Sequence, residues 1–166
     1  VFRDTDNLLL RSSDVTLALG LVAQRRHVPF LITTGSADII TEMGWDYVFR
    51  LNQPVSEYSQ TLVDFLQDVM KPKSVVIIHD KGLFGRAGAI EFSEQASEAG
   101  WKIVMQEGYE PGTTDLKPLL SKAKAAKPDV VYMIAYVKEA ALLVKQAREL
   151  NFTPGVFAGA GAGFTL

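Results

Sequence analysis

The residues that come nearest to catalytic chemistry are His79 and Asp80, which follow the apolar segment 74–78. A carboxylate beside an imidazole can orient the ring for proton transfer. The chain has no cysteine, and no nucleophile motif such as G-x-S-x-G accompanies the pair. The only other histidine is His27, and no spacing of His, Asp and Glu matches a metal site. We therefore expect His79 and Asp80 to make turn hydrogen bonds, and we expect neither an enzyme nor a bound metal.

Two glycine patterns could cradle a phosphate group. Gly82, Gly85 and Gly88 follow a predicted strand and open a predicted helix, as a dinucleotide-binding turn does. They lack the closely spaced first pair of G-x-G-x-x-G. The alternating glycines of residues 159–163 also follow a strand, but no helix pattern comes after them. Tight turns and close helix packing are the favoured interpretation. A nucleotide-binding enzyme domain of Rossmann or flavodoxin type remains the alternative.

A third group of residues could bind a small carboxylate. Ser12, Ser13 and Thr16 stand at a predicted helix start, where free backbone N–H groups and hydroxyls can hold an anion. Residues 33–36, Thr-Thr-Gly-Ser, add hydroxyls at the end of a predicted strand. Phe84 and Tyr136 follow two other strands and could form aromatic walls. Hydroxyls at one strand end and aromatic rings at others predict a pocket for a carboxylate with an apolar tail.

The elements that must position these residues alternate regularly from Val55 onward. Helix and strand patterns alternate four times, which predicts right-handed crossovers and a parallel sheet covered on both faces. The helices are predicted at 58–70, 85–98, 115–126 and 138–150, and the strands at 74–78, 101–106, 130–134 and 154–158. The earlier part is less regular, with a possible strand at 1–4, a helix at 13–25, and strands at 28–33 and 47–51. Ligands of such sheets lie beyond the carboxyl ends of the strands.

Composition narrows the classes of partner. The 166 residues are 48% hydrophobic and 22% charged, which is ordinary for a globular domain. A net charge of −2, from 17 basic and 19 acidic residues, offers no basic face for nucleic acid. No apolar run approaches the ~18–20 residues that span a bilayer. No secretory signal is visible at Val1, so we expect either a cytosolic protein or a mature, trimmed one.

The ordered set of motifs resembles the periplasmic substrate-binding proteins of branched-chain amino acid ABC transporters. The resemblance covers nearly all of the chain from Ser12 onward. It rests on six segments: SSDVTLAL, HVPFLITTGSADIIT, YVFRLNQP, VVIIHDKGLFGRAG, EGYEPGTTDLKPLL and PDVVYMIAY. It implies the type I fold, in which two α/β lobes of parallel, Rossmann-like sheets close on a ligand. It also implies a binding protein without a cofactor, which delivers a small amino acid or organic acid to a membrane permease from the periplasm or as an anchored lipoprotein.

The resemblance also implies which residues hold the carboxylate of the ligand. In this family a serine at a helix start and a strand-end hydroxyl segment grip that group. Ser13 matches the first position, and Thr34, Gly35 and Ser36 match the second.

The walls and the ammonium contact come from the second lobe in this family. Phe84 stands where many members carry tyrosine, and Tyr136 matches its position directly. The acidic residue that commonly binds an α-ammonium falls on Ala160. Because a buried ammonium needs a paired charge, this departure favours an aromatic or aliphatic acid without the ammonium.

Family members are considerably longer than this chain, so the resemblance is to a fragment. We expect residues 1–53 to be part of the N-terminal lobe and residues 54–166 to be a nearly complete C-terminal lobe. A helix and a strand are expected to be missing between Asn7 and Ser12. The alternative to transport is the ligand-sensing domain of a receptor or regulator.

Overall fold

The computed structural model of this chain describes residues 12–160. It contains two parallel sheets, one of two strands and one of four. The small sheet pairs β1 (Phe30–Ile32) with β2 (Val48–Arg50), next to α1 (Ser13–Arg26) and α2 (Ile39–Glu42). The large sheet has the order β4-β3-β5-β6. Its strands are β3 (Ser74–Asp80), β4 (Lys102–Tyr109), β5 (Val130–Ile134) and β6 (Val156–Ala160), and its helices are α3 (Val55–Val69), α4 (Leu83–Glu98), α5 (Lys117–Ala125) and α6 (Val137–Glu149). The predicted parallel α/β architecture is confirmed.

The large sheet is buried on both faces. Alternate residues of β3 and β5 face opposite layers. On one face Val75, Ile77 and Tyr132 pack with apolar side chains of α3 and α4, and the Phe92 and Tyr132 rings stack at 3.9 Å. On the other face Val76, Ile78, Val131 and Met133 pack with α5 and α6. A separate cluster around Ile32, Ala37, Ile40 and Val48 forms the core of the small sheet.

Each helix on the large sheet is followed by a residue in the left-handed conformation. These residues are Lys71, Gly100, Lys127 and Asn151, with φ between 47° and 83°. A left-handed residue after the last turn satisfies the free carbonyl groups of a helix end. These left-handed residues therefore end each helix at the amino end of the sheet, where the next strand begins.

Several predicted boundaries of helices and strands were wrong. For the strands, the reason is that the hydrogen bonds between neighbouring strands extend beyond the apolar segments. Strand β3 continues through His79 to Asp80, which pairs in register with Tyr109. Strand β4 therefore includes residues predicted as loop, and β6 lies at 156–160 rather than 154–158. Helix α5 begins at Lys117 instead of residue 115, and α2 was not predicted. The possible strand at 1–4 and the glycines beyond residue 160 lie outside the described residues.

The segment after β1 is held by β2 and by the start of α3. The Arg50 guanidinium donates to the carbonyl oxygens of Ser36 at 2.9 Å and Ala37 at 2.8 Å. Asp38 accepts the Ser56 hydroxyl at 2.5 Å, and the Val55 N–H donates to the Ser36 carbonyl at 2.8 Å. These bonds place the segment that follows β1 beside the first turn of α3.

Candidate functional site

The candidate site lies where the carboxyl ends of β1, β3 and β5 meet the first turns of α1, α4 and α6. The segment 33–37 follows β1, residues 81–82 follow β3, and Ala135 and Tyr136 follow β5. Helix α1 contributes its amino-terminal turn. Helix α4 reaches both sheets, because Leu83 and Ala87 also pack against the core of the small sheet. The arrangement places the predicted hydroxyl and aromatic residues in one region.

The Phe84 and Tyr136 rings pack against each other. Their centroids are 5.5 Å apart with an angle of 45° between the planes. Phe84 is only 5% exposed, and it shares an apolar cluster with Ala160 and, at its edge, Tyr136. The structure therefore brings together the three residues predicted on the large sheet, with Phe84 set deeper than Tyr136.

The hydroxyl segment lies against the start of α1. The Ala37 N–H donates to Ser13 Oγ at 3.2 Å, and Ser13 is 1% exposed. Gly35 packs on Thr16, since a Cβ at position 35 would lie 2.7 Å from Thr16 Oγ1. Only glycine fits there without displacing that side chain.

Two further residues of the segment lie closer to the surface. The Ser36 hydroxyl donates to the Thr34 carbonyl at 3.2 Å and accepts from Asn52 Nδ2 at 3.1 Å. The Thr34 side chain is exposed. Ser12, the residue before α1, makes no capping hydrogen bond to that helix. The backbone N–H groups in the first turn of α1 therefore have no side-chain cap, and the backbone of Ser13 hydrogen-bonds the Tyr136 hydroxyl.

Two carboxylates, Asp14 of α1 and Asp80 of β3, meet at the first turn of α4. The Gly82 N–H donates to Asp80 Oδ1 at 2.8 Å, and the Leu83 N–H donates to Asp14 at 3.1 and 3.2 Å. The second bond links α1 to α4. The predicted turn role of Asp80 agrees with its bond to Gly82, although Asp80 itself belongs to β3.

Burial raises the pKa of Asp80 to about 6, and the nearby negative charges of Asp14 and Glu139 raise it further. The Gly82 N–H acts in the opposite direction. The pKa of Tyr136 is raised to about 12, mainly by burial, and the Ser12 hydroxyl is the largest opposing influence. Burial also raises the pKa of Tyr109, and the charge of Asp80 adds to this rise. The negatively charged forms of all three side chains are therefore disfavoured.

The glycines after β3 serve close packing. A Cβ at Gly85 would collide with the Asp80 carbonyl oxygen and lie 2.5 Å from Asp80 Oδ2. A Cβ at Gly88 would approach Val55 and Ile134 to 3.1 and 3.3 Å. The spacing of these glycines thus has a packing reason that does not involve a phosphate group.

Sequence reasoning missed Asp14 and Tyr109. Asp14 was not recognised because its bond to Leu83 joins residues far apart in the chain. Tyr109 falls in a segment predicted as loop, and it reaches the site only because β4 pairs with β3 up to Asp80. Within residues 12–160 no group of three or more His, Cys, Asp or Glu side chains is arranged for a metal ion. In the same range no helix is long and apolar enough to cross a bilayer.

Comparison with known proteins gives one matching family. Residues 8–165 match the family model described as periplasmic binding protein. A relative from Brucella abortus (strain 2308), named Leu/Ile/Val-binding protein homolog 7, is 29% identical over 93% of this chain. Homolog 8 from the same strain is 26% identical over 93% of this chain. The chain spans 41% and 40% of the lengths of these two relatives.

Solved structures share the fold. A leucine binding protein from Thermotoga maritima superposes with a TM-score of 0.83 at 24% identity, over 89% of this chain and 42% of that one. A solute binding protein of an ABC transporter from R. palustris, in complex with 4-hydroxybenzoate, gives a TM-score of 0.81 at 17% identity, over 92% of this chain and 42% of that one.

Proposed function

This chain belongs to the periplasmic binding protein family, and from that premise we propose that it binds a small carboxylate between its two sheets. The observation that carries the proposal is the meeting of the α1 amino terminus, the hydroxyl segment 33–36 and the Phe84–Tyr136 ring pair. Each group lies beyond the carboxyl end of a parallel strand or at a helix start, where α/β proteins bind ligands.

The carboxylate would be held by the first turn of α1 and the hydroxyl segment. Free N–H groups at a helix start attract an anion through both hydrogen bonds and the helix dipole. Ser13, Thr34, Gly35 and Ser36 are the residues proposed for this contact. Ser13 Oγ already accepts from the Ala37 N–H, and a serine hydroxyl can donate its own proton at the same time.

The apolar part of the ligand would pack on Phe84, Tyr136 and Ala160. These residues belong to one apolar cluster. Ala160 leaves more room than a larger side chain would, so the proposed contact could take a branched or aromatic group. Relatives named as Leu/Ile/Val-binding homologs and a neighbour holding 4-hydroxybenzoate support both kinds of tail.

The wider role proposed is that of the solute-binding component of an ABC uptake transporter outside the cytoplasm. It would have no catalytic step, and it would pass its ligand to a membrane permease. We propose that residues 1–53 belong to one lobe and residues 54–166 to the other. Separate cores around the small and large sheets support that division.

Isothermal titration calorimetry tests the binding proposal. L-Leucine, L-valine, benzoate and 4-hydroxybenzoate would be titrated separately into the purified protein, and at least one should bind with one-to-one stoichiometry. Ser13→Ala should weaken binding about ten- to a hundredfold, as expected for a lost hydrogen bond to a charged group. Phe84→Leu should weaken it about two- to tenfold, because an aromatic contact is lost with little change in volume.

Phe65→Leu is the matched control, because Phe65 is 58% exposed on α3, outside the candidate site. It should leave affinity unchanged. Titration with NAD, FMN and ATP tests the alternative of a nucleotide-binding domain. Tight stoichiometric binding of any of the three, with no response to the carboxylates, would contradict the proposal.

A further inference from the structure

A groove on the flank of the large sheet lies between the outer strand β4 and helix α4. It has a volume of about 380 Å³, and its lining includes His79, Lys81, Arg86, Ile90, Gln106 and Gly108. Phe84 and Gly88 face the other side of α4, toward Tyr136 and Ile134. The groove is therefore separate from the proposed carboxylate site, and its occupation would not depend on that function.

Positive charge reaches the groove from three elements. His79 belongs to β3, Lys81 to the turn after β3, and Arg86 to α4. The Arg86 guanidinium has no hydrogen bond or ion pair with any of residues 12–160. Lys81 Nζ contacts Glu110 at 2.7 Å, yet no acidic side chain of the described residues lines the groove itself. The groove is therefore cationic in a chain whose net charge is −2.

The His79 ring leaves one nitrogen for a ligand. The Asp80 carbonyl oxygen lies 2.7 Å from Nδ1, and a carbonyl oxygen can only accept, so Nδ1 carries a proton. Nε2 is then the ring nitrogen that remains for another partner. A Cβ at Gly108 would lie 2.8 Å from Cε1 and 3.2 Å from Nε2. Glycine at position 108 therefore keeps open the space beside this end of the ring.

The positive groups in the groove repel one another. The pKa of His79 is lowered, mainly by burial, and the charges of Arg86 and Lys81 lower it further. The Asp80 carbonyl acts in the opposite direction. The other residues that line the groove carry no charge that could offset the repulsion. An anion in the groove would replace this repulsion with attraction to all three groups.

We propose that the groove binds a tetrahedral oxyanion with two negative charges, either a free ion such as sulfate or the phosphate group of a monoester, between His79, Lys81 and Arg86. Guanidinium and ammonium groups are common partners of such oxyanions, because their N–H groups make short, charge-assisted hydrogen bonds. Three cationic donors from three elements suit several oxygens arranged in a tetrahedron, whereas a carboxylate offers only two. The Gln106 amide can donate a further hydrogen bond from β4.

Binding should strengthen as pH falls. Because Nδ1 of His79 donates to the Asp80 carbonyl, Nε2 can donate to the oxyanion only when the ring is protonated. The bound anion therefore raises the pKa of His79, and a proton is taken up on binding. The pKa of the Asp80 carboxyl group, about 6, lies in the same range, and its protonation also favours an anion nearby. A decisive experiment therefore has to follow the His79 ring itself.

Proton NMR of the purified protein tests the site with sodium sulfate, because sulfate keeps its two charges throughout the titration. The chain has two histidines, His27 and His79, and His27→Gln assigns their ring Cε1–H signals. Between about pH 5 and 8, sulfate should move the midpoint of the His79 titration upward by about one pH unit. The signal of His27, at the end of α1, should not respond to sulfate.

Two further salts define the ligand. Sodium chloride at matched ionic strength is the blank, because it screens charge without offering a dianion. Glycerol 3-phosphate distinguishes the two sources of the oxyanion. Tighter binding than sulfate identifies a phosphate monoester as the ligand, and binding no tighter than sulfate identifies a free ion. A His79 midpoint that neither dianion moves further than chloride does would overturn the inference.

Variants locate the bound anion. Arg86→Gln should weaken sulfate binding about ten- to a hundredfold, and His79→Gln should remove most of its strengthening at low pH. Arg148→Gln is the matched control, because Arg148 is an exposed arginine on α6 and its loss changes the net charge equally. Its affinity for sulfate should stay within about twofold. Circular dichroism verifies folding, and Arg86→Gln decides if His79→Gln does not fold. Equal weakening by the two arginine variants would overturn the inference.

Discussion

The two ends of the large sheet each carry an aspartate, and the fold shifts the pKa values of the two carboxyl groups in opposite directions. At the amino end, Asp129 Oδ2 accepts from the Lys73 N–H at 2.8 Å and from the Ser74 N–H and hydroxyl at 3.0 Å. These bonds lower the pKa of Asp129. At the carboxyl end, Asp80 is buried with one oxygen that no residue among 12–160 pairs, and its pKa is raised to about 6. One carboxylate is satisfied by the fold, and the other is not.

The difference indicates that the amino end of the sheet contributes to stability and that the carboxyl end is the candidate for function. Asp129 ties the start of β3 to the start of β5, so its hydrogen bonds contribute to the folded state. Asp80 costs stability when it ionises, because its environment supplies too few compensating donors. Strain of this kind at the edge where ligands bind is expected for a functional site.

The largest expected effect comes from closing the space beside Asp80. Gly85→Ala should lower the free energy of unfolding by about 3 kcal/mol or more, because its Cβ collides with backbone. Gly100→Ala is the matched control, since it meets no atom within 4 Å and changes only a residue at φ 83°. It should cost about 1–2 kcal/mol. Urea denaturation measures both, and equal losses would contradict the packing argument.

The pH dependence of stability should show the ionisation of Asp80. Because the folded pKa is raised, the protonated form is favoured, and stability is lost as pH rises from about 4 through 6. The loss attributable to Asp80 is about 2–3 kcal/mol at most. Asp80→Asn should remove that loss. Urea titrations at pH 4, 5, 6 and 7 measure it, and an identical slope in the variant would show that Asp80 is not the titrating group.

Removing Asp129, the aspartate with satisfied hydrogen bonds, should change stability less, and the pH dependence of that change should be opposite to that of Asp80. Asp129→Ala should cost about 1–2 kcal/mol at pH 7, because three accepted hydrogen bonds are lost at a solvent-exposed position. The folded pKa of Asp129 is lowered, so its contribution disappears as pH falls below about 4. Thermal melts at pH 7 and pH 3 test this, with Asp68→Ala as the control, because Asp68 is an exposed carboxylate on α3. A loss of equal size at both pH values would argue against it.

The smallest effect expected is a gain. Tyr109→Phe removes a buried hydroxyl that has no partner among the described residues, so stability should rise by about 0.5–1 kcal/mol without ligand. Tyr132→Phe is the matched control, because the Tyr132 hydroxyl contacts Ser59 at 3.4 Å. The control should give no gain, and a loss of stability in Tyr109→Phe would indicate a partner for its hydroxyl.

The architecture was predictable because it depends on local patterns. Fully apolar segments such as Val130–Ile134 indicate strands buried on both faces, and the breakers at Lys71, Gly100, Lys127 and Asn151 mark helix ends. Candidate site residues could be chosen from the sequence only where a residue type had an evident use, as for Ser13, Phe84 and Tyr136. Asp14 and Tyr109 were missed, since their importance depends on pairing between residues distant in the chain.

The sequence alone determined the parallel α/β class, the family and the set of candidate hydroxyl and aromatic residues. These follow from periodicity, turn residues and motif order, which are properties of short segments. Only the tertiary structure decided that Asp80 is buried with an oxygen unpaired among the described residues, that Tyr109 lies beside it, and that Asp14 reaches across to α4. Burial and charge depend on every element that packs around a group, and a short segment of sequence contains no information about those neighbours.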